Sequence, residues 1–105
     1  MNVVITSSGN SSDSMLDNHF GRCSYFVFYD TQSRSMEFYP NPYKDLIEGA
    51  GKESARFLAS RNVTKVVTGE LGIKVKPLLD SSKIQLIILK DEKMSVQDII
   101  NLINH

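Results

Sequence analysis

The chain opens on Val3-Val4-Ile5-Thr6, a continuous β-branched run of the kind buried on both faces of a sheet, and this predicts a central strand over Asn2 to Ser7. Tyr25 to Tyr29 and Ser35 to Tyr39 are aromatic-rich runs separated by Asp30-Thr31-Gln32-Ser33-Arg34, the pattern of two antiparallel strands joined by a polar turn. Asn41-Pro42 breaks that pattern. After Gly49-Ala50-Gly51, the residues Ala55, Leu58 and Ala59 recur at the spacing of one helix face, with Asn62 as a natural stop. Lys65 to Thr68 and Ile84 to Leu89 have the β-branched, apolar character of buried parallel strands. Between them Pro77 lacks the N–H that a helix interior needs, so the short helix there is expected to start near Val75 or Lys76. Ser95 followed by Asp98 marks a capping box, and Val96, Ile99, Ile100 and Ile103 form the apolar stripe of a last helix.

The resulting order, βββαβαβα, predicts an α/β fold of ribonuclease H-like type, a mixed five-stranded sheet flanked by helices, in one domain over residues 1–105. If the first three strands alternate in direction and right-handed crossovers bring the last two parallel to the first, four connections leave the same edge of the sheet. They are Ser7 to Arg22, Pro40 to Gly51, Gly69 to Gly72, and Lys90 to Ser95. The first three hold every glycine of the chain, and His19 and Arg22 stand at the end of the first, beside Cys23. A site is expected at that edge.

Composition narrows the function. Twelve Lys and Arg balance twelve Asp and Glu, so no long-range field gathers a nucleic-acid backbone. The aromatic run Tyr25 to Tyr29, without basic surroundings, reads as strand packing and not as a base-stacking platform. Apolar runs such as Leu86-Ile87-Ile88-Leu89 fall far short of the roughly 20 residues needed to span a bilayer. No basic stretch and apolar h-region open the chain, and its one cysteine has no internal partner, so a reducing cytoplasm is the expected location.

The segment Asp17-Asn18-His19-Phe20-Gly21-Arg22-Cys23 brings an imidazole, a guanidinium and a thiol within seven residues. Arginine beside cysteine favours the thiolate, the form that ligates iron, and imidazole binds the same metals. On the alternative reading Phe20 plugs the core, Gly21 supplies an unusual backbone angle, Arg22 pairs with a carboxylate and Cys23 is a small buried hydrophobe. Gly49-Ala50-Gly51 and Gly69-Glu70-Leu71-Gly72 each precede a helix, where free N–H groups favour an anion. Neither completes a nucleotide fingerprint, since Leu46 and Glu53 break a P-loop and Ser54 stands where a G-x-G-x-x-G needs its last glycine. Nucleophilic catalysis has only His19 and His105 as bases, with no orienting partner evident, and the first strand carries no acid for a two-metal nuclease. An enzyme is therefore not expected.

His19-Phe20-Gly21-Arg22-Cys23-Ser24-Tyr25-Phe26 resembles the dinitrogenase iron-molybdenum cofactor biosynthesis family, which includes NifX-like proteins and the C-terminal domain of NifB. Asn41-Pro42, Gly49-Ala50-Gly51, Val66-Val67-Thr68-Gly69 with Gly72, and Leu78-Leu79 before Ile84 extend the resemblance from about Val3 to Leu89. It implies a ribonuclease H-like fold and a non-enzymatic role in carrying or assembling an iron-sulfur or iron-molybdenum cluster precursor, received from or passed to another cluster-handling protein. It also implies that His19 and Cys23 ligate the metal, while Arg22 and the amides of Gly49, Gly51, Gly69 and Gly72 hold the cluster's negative charge. One cysteine does not ligate a four-iron cluster alone, so either a homodimer shares the ligation or the cluster keeps its own sulfides. Two other readings stay open: a regulatory or protein-interaction module of the same fold without a cluster, and an anion- or nucleotide-binding module built on the glycine turns.

Overall fold

A computed structural model describes residues 1–91 and 93–104; His105, the second imidazole considered above, lies outside the described residues. Five strands, β1 (Asn2–Ser7), β2 (Tyr25–Asp30), β3 (Met36–Pro40), β4 (Lys65–Thr68) and β5 (Gln85–Ile88), alternate with three helices, α1 (Ala50–Ser60), α2 (Lys76–Ser81) and α3 (Val96–Ile103), in the expected order. The strands form one mixed sheet in the order β3-β2-β1-β4-β5. β1 is central, antiparallel to β2 and parallel to β4, with Val4 opposite Phe28 on one side and Val66 on the other.

Strand periodicity sorts the apolar run of β1 onto two cores. Val4 joins Phe26, Val66, Leu58 and Leu79 under α1 and α2, whereas Val3 and Ile5 join Val27, Val67, Ile99 and Ile100 under α3. This double burial explains why β1 reads as a solid hydrophobic block. Helix α3 begins on the capping box, with Ser95 Oγ accepting from Asp98 N and Asp98 Oδ2 from Ser95 N, both at 3.1 Å. Such a cap contributes about 1 kcal/mol. Pro77 lies in the first turn of α2, where its missing N–H has no intrahelical partner to lose. Beyond α1, Asn62 takes the left-handed conformation at φ 60° and turns the chain into β4.

The directions of the strands place the connections after β1, β3 and β4 on one rim of the sheet, together with the entry to β2. The long β1–β2 connection is tied down there. Asp17 N donates to Thr6 O at 2.9 Å, Leu16 N to Met94 O at 2.9 Å, and Phe20 N to Glu70 O at 3.2 Å. His19 and Glu70 pair as a short parallel bridge. Thr6 Oγ1, fully buried, donates to Asp17 O at 2.8 Å and lies 2.9 Å from Thr68 Oγ1. These contacts fix the chain just before His19.

Candidate functional site at the sheet rim

Three rim segments enclose a cavity of about 420 Å3. His19-Phe20-Gly21-Arg22 forms one wall, Gly49-Ala50-Gly51 at the start of α1 a second, and Glu70-Leu71-Gly72 with Val75 the third. Close backbone approach makes this packing possible. A Cβ on Gly21 would lie 2.5 Å from the backbone nitrogen of Gly51, and a Cβ on Gly51 would lie 2.7 Å from Val75 Cγ2. Glycine at both positions brings α1 against its neighbours without a side chain between them. Gly49 serves differently, adopting φ 80° as the N-cap of α1 with open space where a Cβ would stand.

Five of the expected site residues, His19, Arg22, Gly49, Gly51 and Gly72, border this cavity together. The imidazole of His19 is 69% exposed, its Nδ1 lies 3.5 Å from Asp17 Oδ1, and its backbone N donates to the same oxygen at 2.9 Å. Arg22 donates from Nη1 to Lys44 O at 2.9 Å and from Nη2 to Ile47 O at 3.4 Å, fastening the loop between β3 and α1. Its partners are carbonyls and not the carboxylate considered from the sequence. The cavity therefore combines a restrained cation, a helix start whose first N–H groups favour negative charge, and an apolar lining from Phe20, Ala50, Leu71 and Val75. Leu71 and Val75 were not singled out from the sequence, although their places beside Gly72 were the available signal.

Gly69 and Cys23 stand elsewhere. Gly69 packs on Asn18, where a Cβ would collide with backbone and side chain, and it borders the groove toward β5 instead. Cys23 is fully buried in the core under α1 and α2 and does not line the cavity. Its Sγ donates to Phe20 O at 3.4 Å, while Asn41 Nδ2 donates to the carbonyls of Gly21 and Cys23 at 3.0 Å each and lies 3.8 Å from the sulfur. Burial, aided by the Asp17 charge, raises the thiol well above its ordinary value. The expectation that Arg22 turns Cys23 into a thiolate is thus corrected: the guanidinium is directed to the 44–47 loop and desolvation keeps the thiol protonated. Cys23 is the small buried hydrophobe of the alternative reading, and Phe20, 2% exposed, is its core plug.

Among the described residues no three His, Cys, Asp or Glu side chains gather as a metal site. No helix of the described chain is long and apolar enough to cross a membrane.

The rim cavity on a β3-β2-β1-β4-β5 sheet defines a small α/β protein of ribonuclease H-like architecture with an open pocket lined in part by glycines. The chain belongs to the dinitrogenase iron-molybdenum cofactor family, which it matches over residues 1–104. The apo form of the orange protein from Desulfovibrio gigas is similar to it in structure, with a TM-score of 0.90 and 26% identity over 97% of this chain and 85% of that one. A NifB-like protein from Thermotoga, solved by NMR, has a TM-score of 0.81 and 26% identity over the same shares of the two chains. No curated protein matches the chain.

Proposed function

We propose that the protein is a non-enzymatic carrier or assembly factor for an anionic metal–sulfur cluster or its precursor, which it exchanges with a cluster-synthesis or acceptor protein. The observation that carries this reading is the composition of the cavity wall: Arg22, the start of α1 at Gly49 to Gly51, and glycine turns, with His19 as the sole imidazole and no thiol. A cluster ligated only by protein thiolates needs about four of them. This wall suits cargo that brings its own sulfides and is held by charge, backbone N–H groups and apolar contact, with His19 available to take one open metal position. Membership of the iron-molybdenum cofactor family supports the choice of cargo over a nucleotide, and the absence of either nucleotide fingerprint agrees. Cys23 acts in this reading as core packing.

Anaerobic incubation with tetrathiomolybdate, or with ferrous iron and sulfide, followed by gel filtration tests the assignment. The protein peak should carry the visible absorption of the cargo. Cys23→Ala should retain it, and Arg22→Gln should weaken uptake at least about tenfold, the loss of one charge-assisted contact. A colourless protein peak, or uptake abolished by Cys23→Ala and untouched by Arg22→Gln, would overturn the proposal.

A further inference from the structure

Of the residues that border the rim cavity only three carry ionisable side chains, His19, Arg22 and Glu70. The carrier reading uses the first two and leaves an acid on the wall of a site for an anion. Glu70 is exposed, and among the described residues its carboxylate has no ion-pair partner. Its backbone is held at both polar groups: the N–H donates to Asn18 O, and the carbonyl accepts from Phe20 N at 3.2 Å. The bridge between His19 and Glu70 is parallel, which sets the two side chains on the same face of the pairing. Asp17 Oδ1 lies 3.5 Å from Nδ1 of that imidazole and leaves Nε2 to take a metal, the arrangement in which a carboxylate orients a metal-binding histidine. Three residues further on the wall is different. Gly21 packs on the backbone of Gly51, and Arg22 is bonded to carbonyls, which carry no charge to cancel its own. The segment from His19 to Arg22 therefore runs from an imidazole beside an acid to a guanidinium near the start of α1.

Resting on the carrier reading, we propose that Glu70 is a specificity-determining residue that orients the cargo: an open metal of the cluster precursor faces His19 and Glu70, and its sulfide edge faces Arg22 and the start of α1. A carboxylate oxygen donates electrons to iron, which accepts imidazole and carboxylate together, and it repels a bare anion. The cavity then favours a ligand with one electrophilic edge over one that is anionic all round, such as sulfate or a thiometallate without an added metal. Two side chains are too few to hold a bare ion, in keeping with the lack of a three-donor cluster among the described residues. They suffice for a metal whose remaining positions are filled by its own sulfides.

Anaerobic gel filtration after incubation over a range of probe concentrations compares the wild type with Glu70→Gln, an isosteric change at an exposed position. The two probes are tetrathiomolybdate alone, and ferrous iron with sulfide. The expected shifts have opposite signs. Glu70→Gln should bind tetrathiomolybdate roughly fivefold more tightly, the effect of removing one unit charge about 8 Å from a dianion in a water-like medium. That gain should vanish at about 1 M salt, where the screening length is about 3 Å. The same variant should retain iron at least about tenfold less well at either salt concentration, because a ligand oxygen is lost. A merely loosened wall would weaken both. Shifts of the same sign, either probe unmoved, or a wild type that retains tetrathiomolybdate but no iron would overturn the role of Glu70 and leave the carrier reading intact. A wild type that retains neither probe would overturn both.

Discussion

Arg22 and Cys23 are neighbours along the chain and belong to different worlds in the fold. Arg22 borders an open cavity and its guanidinium is fixed to two carbonyls of the 44–47 loop, while the thiol beside it lies under α1 with no exposed surface. The cavity is walled by loop segments and by the start of α1. In the thiol niche Asn41 and Phe20 O supply polar partners to the sulfur. Sequence proximity therefore supplied the ingredients of a metal site without their assembly. What divides them is the turn at Gly21 and Arg22, after which the chain enters β2 and successive side chains alternate between faces.

Substitution at Gly21 should break this division most severely. In Gly21→Ala the new methyl meets the backbone of Gly51, which only a displacement of α1 can relieve. A loss of about 3 kcal/mol is expected, the upper range for overpacking. The urea midpoint measures it, and a companion loss of thiometallate uptake would show that the same close approach shapes the cavity.

A smaller effect comes from the thiol. Because burial in the folded state raises the pKa of Cys23, the protonated form is favoured on folding. Its contribution is fully present below the ordinary thiol value of about 8.5 and is lost as pH rises above it, at up to about 1.4 kcal/mol per pH unit. Wild-type stability should consequently fall more steeply than that of Cys23→Ala between pH 8.5 and 10.5. The difference between the two curves isolates the thiol from tyrosines and lysines that titrate in both. Parallel curves would place Cys23 within reach of solvent and restore it as a ligand candidate. The same contrast can be read from thiol-specific labelling, which should proceed only on unfolding.

The smallest expected change distinguishes polar burial with partners from polar burial without them. Ser54 Oγ, on the buried face of α1, has no hydrogen-bond partner among the described residues, unlike Thr6 and Asn41. Ser54→Ala should raise stability by about 1 kcal/mol through removal of an unsatisfied hydroxyl and better helix propensity. Thermal unfolding detects it, and destabilisation instead would mean the hydroxyl is satisfied in solution.

Much of the fold was legible in the sequence because its signals are local. The unbroken block at Val3 to Thr6, Pro77 with its missing donor, and Ser95 with Asp98 each state their own role before any tertiary contact is known. Strand ends shifted by only a residue, as at Met36 and Gln85. The rim was legible too, since strand direction and the clustering of glycines both point there. Cys23 was not, because residue type and neighbours do not reveal which side of a strand entry a side chain takes. Gly69 failed for a related reason: a glycine in a rim turn serves a ligand or another segment equally well, and here Asn18 occupies the place.

The two hydrogen bonds from Arg22 to Lys44 and Ile47 have a thermodynamic consequence. Freezing a long, flexible side chain at the moment of ligand capture costs about 0.5–1.5 kcal/mol. In this protein that entropy is surrendered during folding, when the loop carbonyls seize the guanidinium, so on the carrier reading an arriving anion would meet a stationary charge.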